Sequence, residues 1–127
     1  MNKNSKRKKA YRLGIAAEKK AAIFLWLKGY SIIETNYSCP QGEIDIIAKK
    51  GKTIIIAEVK ARKNFDDCAY SITPSKRQKI SKATNWFMTY GKKKSIFIKN
   101  NDYILRFDAI LITPKRLPKH IKDAWRE

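Results

Sequence analysis

The apolar pattern of this 127-residue chain predicts an α/β domain in which a mixed central sheet is flanked by two helices. Three observations predict it. Apolar residues recur at spacings of three and four over residues 13–28, isoleucine-rich runs lie on both sides of Lys49-Lys50-Gly51-Lys52, and a second helical segment carrying start and stop signals covers 74–90. A content of 43% hydrophobic and 11% aromatic residues suffices for one core, and no repeat, Pro/Ser-rich linker or internal boundary marks off a second domain.

The elements follow in order. Residues 1–10, MNKNSKRKKA, form a block of like charge that cannot pack, so a flexible basic arm is expected there and the domain proper over 11–127. Leu13, Ala17, Ala21, Phe24 and Leu25 then mark a helix, which Gly29 stops. Glu18 falls on that helix between the positions of Leu25 and Ala22, where an unpaired carboxylate is costly; it is expected to find a partner. Tyr30 to Tyr37 read as a strand, followed by a hairpin. If Lys50 and Gly51 form its loop, Lys49 faces Lys52, Asp45 faces Ile56 and Glu43 faces Glu58. Asp45 is then diagonal to Glu58, and Asp45, Glu58 and Lys60 share one face. Diagonal neighbours lie about 7–8 Å apart, a gap that two converging carboxylates and a divalent cation can bridge.

The helix over Pro74–Tyr90 has Thr73 as N-cap, Pro74 in its first turn, a Ser75-to-Gln78 capping-box spacing and Gly91 as its stop. Lys76, Arg77 and Lys79 crowd its first turns, where cations oppose the macrodipole, so an anion outside the chain, such as a phosphate, is the expected reason for them. Strands over Ser95–Lys99 and Tyr103–Thr113 and a short basic terminus with His120 and Trp125 complete the chain.

Charge narrows the function. With 29 Lys and Arg against 11 Asp and Glu, the net charge is +18 and the pI about 10.1. Such a domain attracts polyanions through counterion release, and nucleic acid is the first candidate. A merely solvated basic surface, or a ribosome- or membrane-surface protein, is the blander reading. Cys39 and Cys68 have neither metal-ligand nor disulfide spacing, so reduced thiols and a cytoplasmic location are expected. Glu18, Lys19 and Lys20 interrupt the apolar run that a signal peptide would need after the basic start, and no stretch is long enough to cross a bilayer.

Against this background the acids among the isoleucines of GEIDIIAKKGKTIIIAEVKAR stand out. An acid on one strand and Glu-x-Lys on its partner is the arrangement used by metal-dependent phosphodiesterases of the restriction-endonuclease-like superfamily. The carboxylates hold Mg2+ or Mn2+, which polarises a phosphoryl oxygen and acidifies a water, while the lysine orients that water or steadies the charge developing at phosphorus. Glu-x-Lys alone is a weak signal, equally that of a surface pair on an edge strand with Asp45 capping a turn. It gains weight only with Asp45, the hairpin and an upstream helical glutamate together.

A resemblance adds to this reading. Gly14-x-Ala16-Ala17-Glu18, Leu25, Gly29-Tyr30, Asn36-Tyr37, Gly42-Glu43-Ile44-Asp45-Ile46-Ile47-Ala48, Glu58-Val59-Lys60-x-Arg62, Lys76 and Arg106-Phe107-Asp108 resemble, in order and over nearly the whole chain, the bacterial YraN family. The resemblance implies a restriction-endonuclease-like core, similar to that of archaeal Holliday-junction resolvases, with Glu18, Asp45, Glu58 and Lys60 at the catalytic positions. The proline usual before the aspartate in that superfamily is Ile44 here.

The expectation is therefore a metal-dependent nuclease, an Mg2+ or Mn2+ endonuclease acting on structured or branched DNA, with an antiparallel hairpin at the active edge of the sheet. Asp45 and Glu58 would ligate the metal, Glu18 directly or through water, Lys60 would serve the attacking water, and Arg62, Lys76, Arg77 and Lys79 would hold phosphates. Glu43 either shares the metal face or, the preferred reading, is stabilised by a backbone or arginine contact. The partner expected is nucleic acid, DNA in preference to RNA, with no membrane and room for a homodimer. The rivals are a non-catalytic nucleic-acid-binding accessory protein that keeps the fold and a ribosome-associated RNA binder. Trp26 and Trp86 are expected to pack, Trp125 to stack on a base or dock on the core, Arg106 and Asp108 to pair, and His120, without an acid or cysteine at ligand spacing, to stay out of catalysis.

Overall fold

The computed structural model describes residues 3–65, 72–99 and 101–126, with side chains from Gly14 onward. The side chains of the basic arm and Cys68 lie outside the described residues. The elements are α1 (Lys3–Leu27), β1 (Ser31–Cys39), β2 (Gly42–Lys50), β3 (Thr53–Ala61), α2 (Pro74–Tyr90), α3 (Lys92–Phe97), β4 (Ile104–Ile112) and β5 (Lys119–Trp125). The strands form one five-stranded sheet in the order β1-β2-β3-β4-β5. All neighbours are antiparallel except β3 and β4, which run parallel and are joined through α2 and α3. This is the α/β mixed sheet flanked by helices expected from the sequence, arranged as a restriction-endonuclease-like core.

Each face of the sheet has its own helix. Ala17, Ala21 and Leu25 of α1, spaced four apart, pack on Ile46, Ala48, Ile55, Ala57 and Ile110. Ile80, Ala83 and Phe87 of α2 pack on Ile47, Ile54 and Ile56 from the other side. Because β3 is covered on both faces, it reads as a continuous apolar run over residues 54–57. Glu58, the one acid in it, therefore sits where burial is the rule.

The predicted helix signals act as expected. Gly29, at φ +96°, ends α1, with Gly29 N–H donating to Trp26 O and Tyr30 N–H to Leu25 O, both at 3.0 Å. Thr73 caps α2 by accepting from Lys76 N–H at 3.2 Å. The cap is this one rather than a Ser75–Gln78 box.

Four expectations are corrected. First, the hairpin occupies the middle of the sheet, with β1 and β5 as the edges. Second, its loop is Gly51-Lys52, with Lys50 facing Thr53. Glycine serves either position of a two-residue turn, so the chain's own chemistry does not choose between the two registers. Third, residues 95–97 of the segment read as strand Ser95–Lys99 belong to the helix α3, which Gly91 alone separates from α2; Phe97 and Ile98 pack against the α2-side core. Six residues are too short for periodicity to separate helix from strand. Fourth, the basic terminus is strand β5, and its Trp125 docks on the core, stacked on Phe107 at 5.4 Å between ring centroids. In addition, α1 starts at Lys3 rather than near Leu13, and Trp26, expected to pack, is 66% exposed. No helix among the described residues is long and apolar enough to cross a membrane.

Candidate active site

The site forms where β2 and β3 part. Their ladder ends at Ile46 and Ala57, and the next donor, Val59 N–H, is taken by Asp45 Oδ2 at 2.8 Å. Carried one step further, the register sets Asp45 level with Glu58, not diagonal to it. The register differs from the expected one by two residues, and a two-residue shift returns every side chain to the same face. Asp45, Glu58 and Lys60 thus remain together although the pairing that was to unite them is different.

Glu58 is 3% exposed, and two lysines meet it: Lys76 Nζ at 2.7 Å and Lys60 Nζ at 3.5 Å from Oε1. The cation at the start of α2 therefore answers to a carboxylate inside the chain, which repays its opposition to the macrodipole. Glu18 comes from α1, and its carboxyl shares a hydrogen bond with that of Asp45. The partner that its place on the helix demanded is another acid.

Electrostatics record this crowding. Burial, countered by the Val59 N–H bond and reinforced by Glu18, pushes Asp45 up to about 6. Burial raises Glu18 as well, the bond with Asp45 opposing and the charges of Glu58 and Glu43 adding to the rise. Glu58 is raised by burial and by Asp45 despite its lysines. Lys60 is lowered by burial and by Lys76, while Lys76, in spite of burial, is raised by Glu58. Two carboxyls in hydrogen-bond contact hold a proton most readily when no other cation is at hand.

Two openings reach these groups. A cavity of about 360 Å3 on the α1 side is walled by Glu18, Asp45, Glu58, Lys60, Arg62 and Lys76. Another, of about 450 Å3 on the α2 side, shares Asp45, Glu58 and Lys76 and adds Glu43 and Lys79. Arg62 is exposed at the first rim and donates to Ala61 O at 2.7 Å; Arg77 donates through Nε to Ile72 O at 3.3 Å. Glu43 is exposed and has neither the backbone nor the arginine contact assigned to it among the described residues. For Mg2+ or Mn2+, Asp45 and Glu58 offer hard oxygen donors with Glu18 behind them, the donor set such ions take. Among the described residues no group of three or more His, Cys, Asp and Glu is gathered closely enough to hold a metal ion, and Glu58 is paired with Lys76 instead.

A second polar cluster escaped the sequence reading. Asp108, fully buried, accepts from Arg106 Nε and Nη2 at 2.8 Å each, from His120 Nε2 at 2.7 Å and from Asp123 N–H at 3.0 Å. Lys28 Nζ donates to His120 Nδ1 at 2.6 Å, which leaves the ring proton on Nε2 for Asp108. Arg106 and Asp108 pair as expected. The histidine lies 12 residues further along, on a strand that the sequence did not reveal, so spacing gave no signal for it. The cluster fastens β5 to β4.

Comparison with known proteins agrees with the arrangement of motifs. Residues 17–112 match the model of a family described as Uncharacterised protein family UPF0102. The chain is 44% identical over 117 residues to a UPF0102 protein of Rhodopseudomonas palustris strain BisA53, covering 91% of this chain and 85% of that one. It is 42% identical to one of Bradyrhizobium diazoefficiens over 91% and 83% of the two chains, and 38% identical to one of Nitrobacter winogradskyi over 91% and 93%.

Proposed function

The chain belongs to the UPF0102 family, the family its motifs resemble under the name YraN, and we propose that it is a metal-dependent nuclease acting on structured or branched DNA. One observation carries this reading: Asp45 and Glu58 converge at the parting of β2 and β3 with raised proton affinities, Glu18 reaching Asp45 and Lys60 lying beside Glu58 in the same cavity. Such convergence destabilises a fold unless a ligand uses it.

In this reading Asp45 and Glu58 hold Mg2+ or Mn2+, with Glu18 joining directly or through water. When bound, the cation supplies charge stabilisation at the phosphoryl group and a more acidic water. The chain's own residues do the rest. Lys60, held 3.5 Å from Glu58, presents its ammonium to the attacking water or to the oxygens on which charge develops. Lys76, 45% exposed, leaves Glu58 for a substrate phosphate, so one side chain serves the carboxylate before binding and the backbone after it. Arg62 and Lys79 stand at the two rims, where they steer the strand, and the charge of +18 brings it there. Cytoplasmic location accords with the reduced thiols expected from the cysteine spacing.

A second reading, a non-catalytic nucleic-acid-binding protein on the same fold, is favoured by the Lys76–Glu58 contact of 2.7 Å, which neutralises the acid without a metal. The deciding experiment offers single-stranded, duplex and four-way-junction DNA and structured RNA to the purified protein with Mg2+, with Mn2+ and with chelator. Metal-dependent cleavage of the junction supports the nuclease. Binding of all four without a cut in any metal transfers the reading to the accessory protein.

A further inference from the structure

Beside the carboxylate cavity lies a pocket of about 400 Å3 that the proposed chemistry does not use. It shares Ala17, Ala61 and Arg62 with that cavity, so the two are neighbours. Its walls are apolar: alanines of α1 and β3 on one side, Ile112 and Pro114 on the other. Its rim is basic, with Lys20, Arg62 and Lys63 all exposed. Small side chains at positions 16, 17 and 61 are what keep it open.

We propose that this pocket receives one unstacked nucleobase of the DNA, adjacent to the phosphate at the carboxylates. The inference rests on the nuclease reading and deepens it by assigning the substrate class: strands with an unpaired base beside the scissile phosphate, as at branch points and single-stranded segments. A base is a flat, largely apolar body that must be followed on both sides by phosphates, and an apolar pocket ringed by three cations matches that order of chemistry. A lipid chain or an apolar peptide would want the same walls without the cations or the neighbouring phosphate site. A base in an intact duplex stays stacked and cannot enter, which makes the pocket a device of selectivity.

Thr113 supplies the second observation. It lines the pocket, is 2% exposed, and its hydroxyl has no hydrogen-bond partner. A buried hydroxyl left unpaired is costly, and rotation about χ1 exchanges hydroxyl with methyl. A base edge in the pocket would give it the partner it lacks.

The test measures binding in chelator, so it does not depend on cleavage. A single-stranded oligonucleotide carrying 2-aminopurine and the same sequence as a blunt duplex are titrated with wild-type protein, Ala16→Trp and Thr113→Val. Ala16 is exposed on α1, so Ala16→Trp fills the pocket without disturbing the core. Thr113→Val keeps the shape, removes only the hydroxyl, and should leave the melting temperature unchanged or raise it. Expected are a loss of at least about fivefold in single-strand affinity for Ala16→Trp and about threefold for Thr113→Val, with duplex affinity changed less than about twofold. The 2-aminopurine emission should respond in wild type and not in Ala16→Trp. Equal single-strand affinity and emission in all three proteins overturns the pocket, whether or not the wild type cuts DNA. Selective loss in the variants upholds it, and if the wild type then cuts nothing in any metal, the nuclease reading alone falls.

Discussion

Lys76 Nζ lies 2.7 Å from Glu58 Oε1, at a carboxylate that is 3% exposed and that Lys60 approaches only to 3.5 Å. The first turn of α2 and the third strand are thereby joined through the centre of the proposed site. Lys76→Ala leaves Glu58 buried with one distant cation. In chelator this should cost about 1–2 kcal/mol, the lower end because Lys76 is 45% exposed. With the competitor gone, millimolar Mn2+ should then stabilise the variant more than the wild type. Paired thermal melts check both statements, and a variant that Mn2+ stabilises less would detach Glu58 from the metal.

Asp45 carries the opposite kind of strain. Its carboxyl titrates near 3.8 in an unfolded chain and at about 6 in the fold, so between those values the folded state keeps a proton that the unfolded state gives up. Apo stability should therefore fall as pH rises from about 4 to about 6 and stay lower above. Asp45→Asn removes the effect while still accepting from Val59 N–H. At pH 7.5 in chelator it should be more stable than wild type by about 1–3 kcal/mol, a rise of several degrees in melting temperature. Mn2+ should stabilise the wild type and not the variant, and the wild-type gain should fade below pH 6 as protons compete. An Asp45→Asn protein that melts lower than wild type in chelator would contradict the assignment.

Lys60 separates chemistry from binding. If it acts on the water or on developing charge, Lys60→Ala should reduce cleavage of a four-way junction by about a hundredfold or more while Mn2+ binding persists and DNA binding weakens by one cation's share. Asp45→Ala should stop cleavage, weaken Mn2+ binding and, by removing negative charge beside the backbone, tighten DNA binding in chelator. Cleavage assays with filter-binding titrations read all of these. Parallel changes in DNA affinity for the two variants would speak for an ordinary surface pair.

Asp108 predicts the acid limit of the fold. Burial would raise its carboxyl, but His120, Arg106 and the Asp123 N–H outweigh burial and draw it down to about 2, from 3.8 unfolded. A lowered carboxyl stabilises fully above its unfolded value and loses that contribution as pH falls toward the folded one. The difference, about 2 kcal/mol, should appear as the penalty of Asp108→Asn between pH 5 and 8 and shrink below pH 4. Melts across that range would show it. A penalty that persists unchanged at pH 3 would assign it to packing rather than to charge.

What the chain determined by itself is what acts within a few residues. Gly29 and Thr73 end and begin helices through local backbone bonds, and the apolar rhythm of Ala17, Ala21 and Leu25 assigns α1 its buried face. Glu18's need for a partner and the common face of Asp45, Glu58 and Lys60 were legible for the same reason: helical position and strand alternation are local, and the second survives a register error of two residues. Tertiary structure decided the rest. Gly51 fits either turn position, so only packing on both sheet faces selects Lys50 opposite Thr53. The six residues of α3 and the strand holding His120 carry too little pattern to declare themselves; contacts with Ile98, Phe107 and Asp108 make them what they are. That Lys76 meets Glu58, and that Thr113, just beyond β4, lines a pocket with Ala17 of α1 and Ala61 of β3, required α2 and β4 to be folded against β3. Interactions between residues far apart in sequence leave no spacing to read, because the distance that matters is set by the whole core.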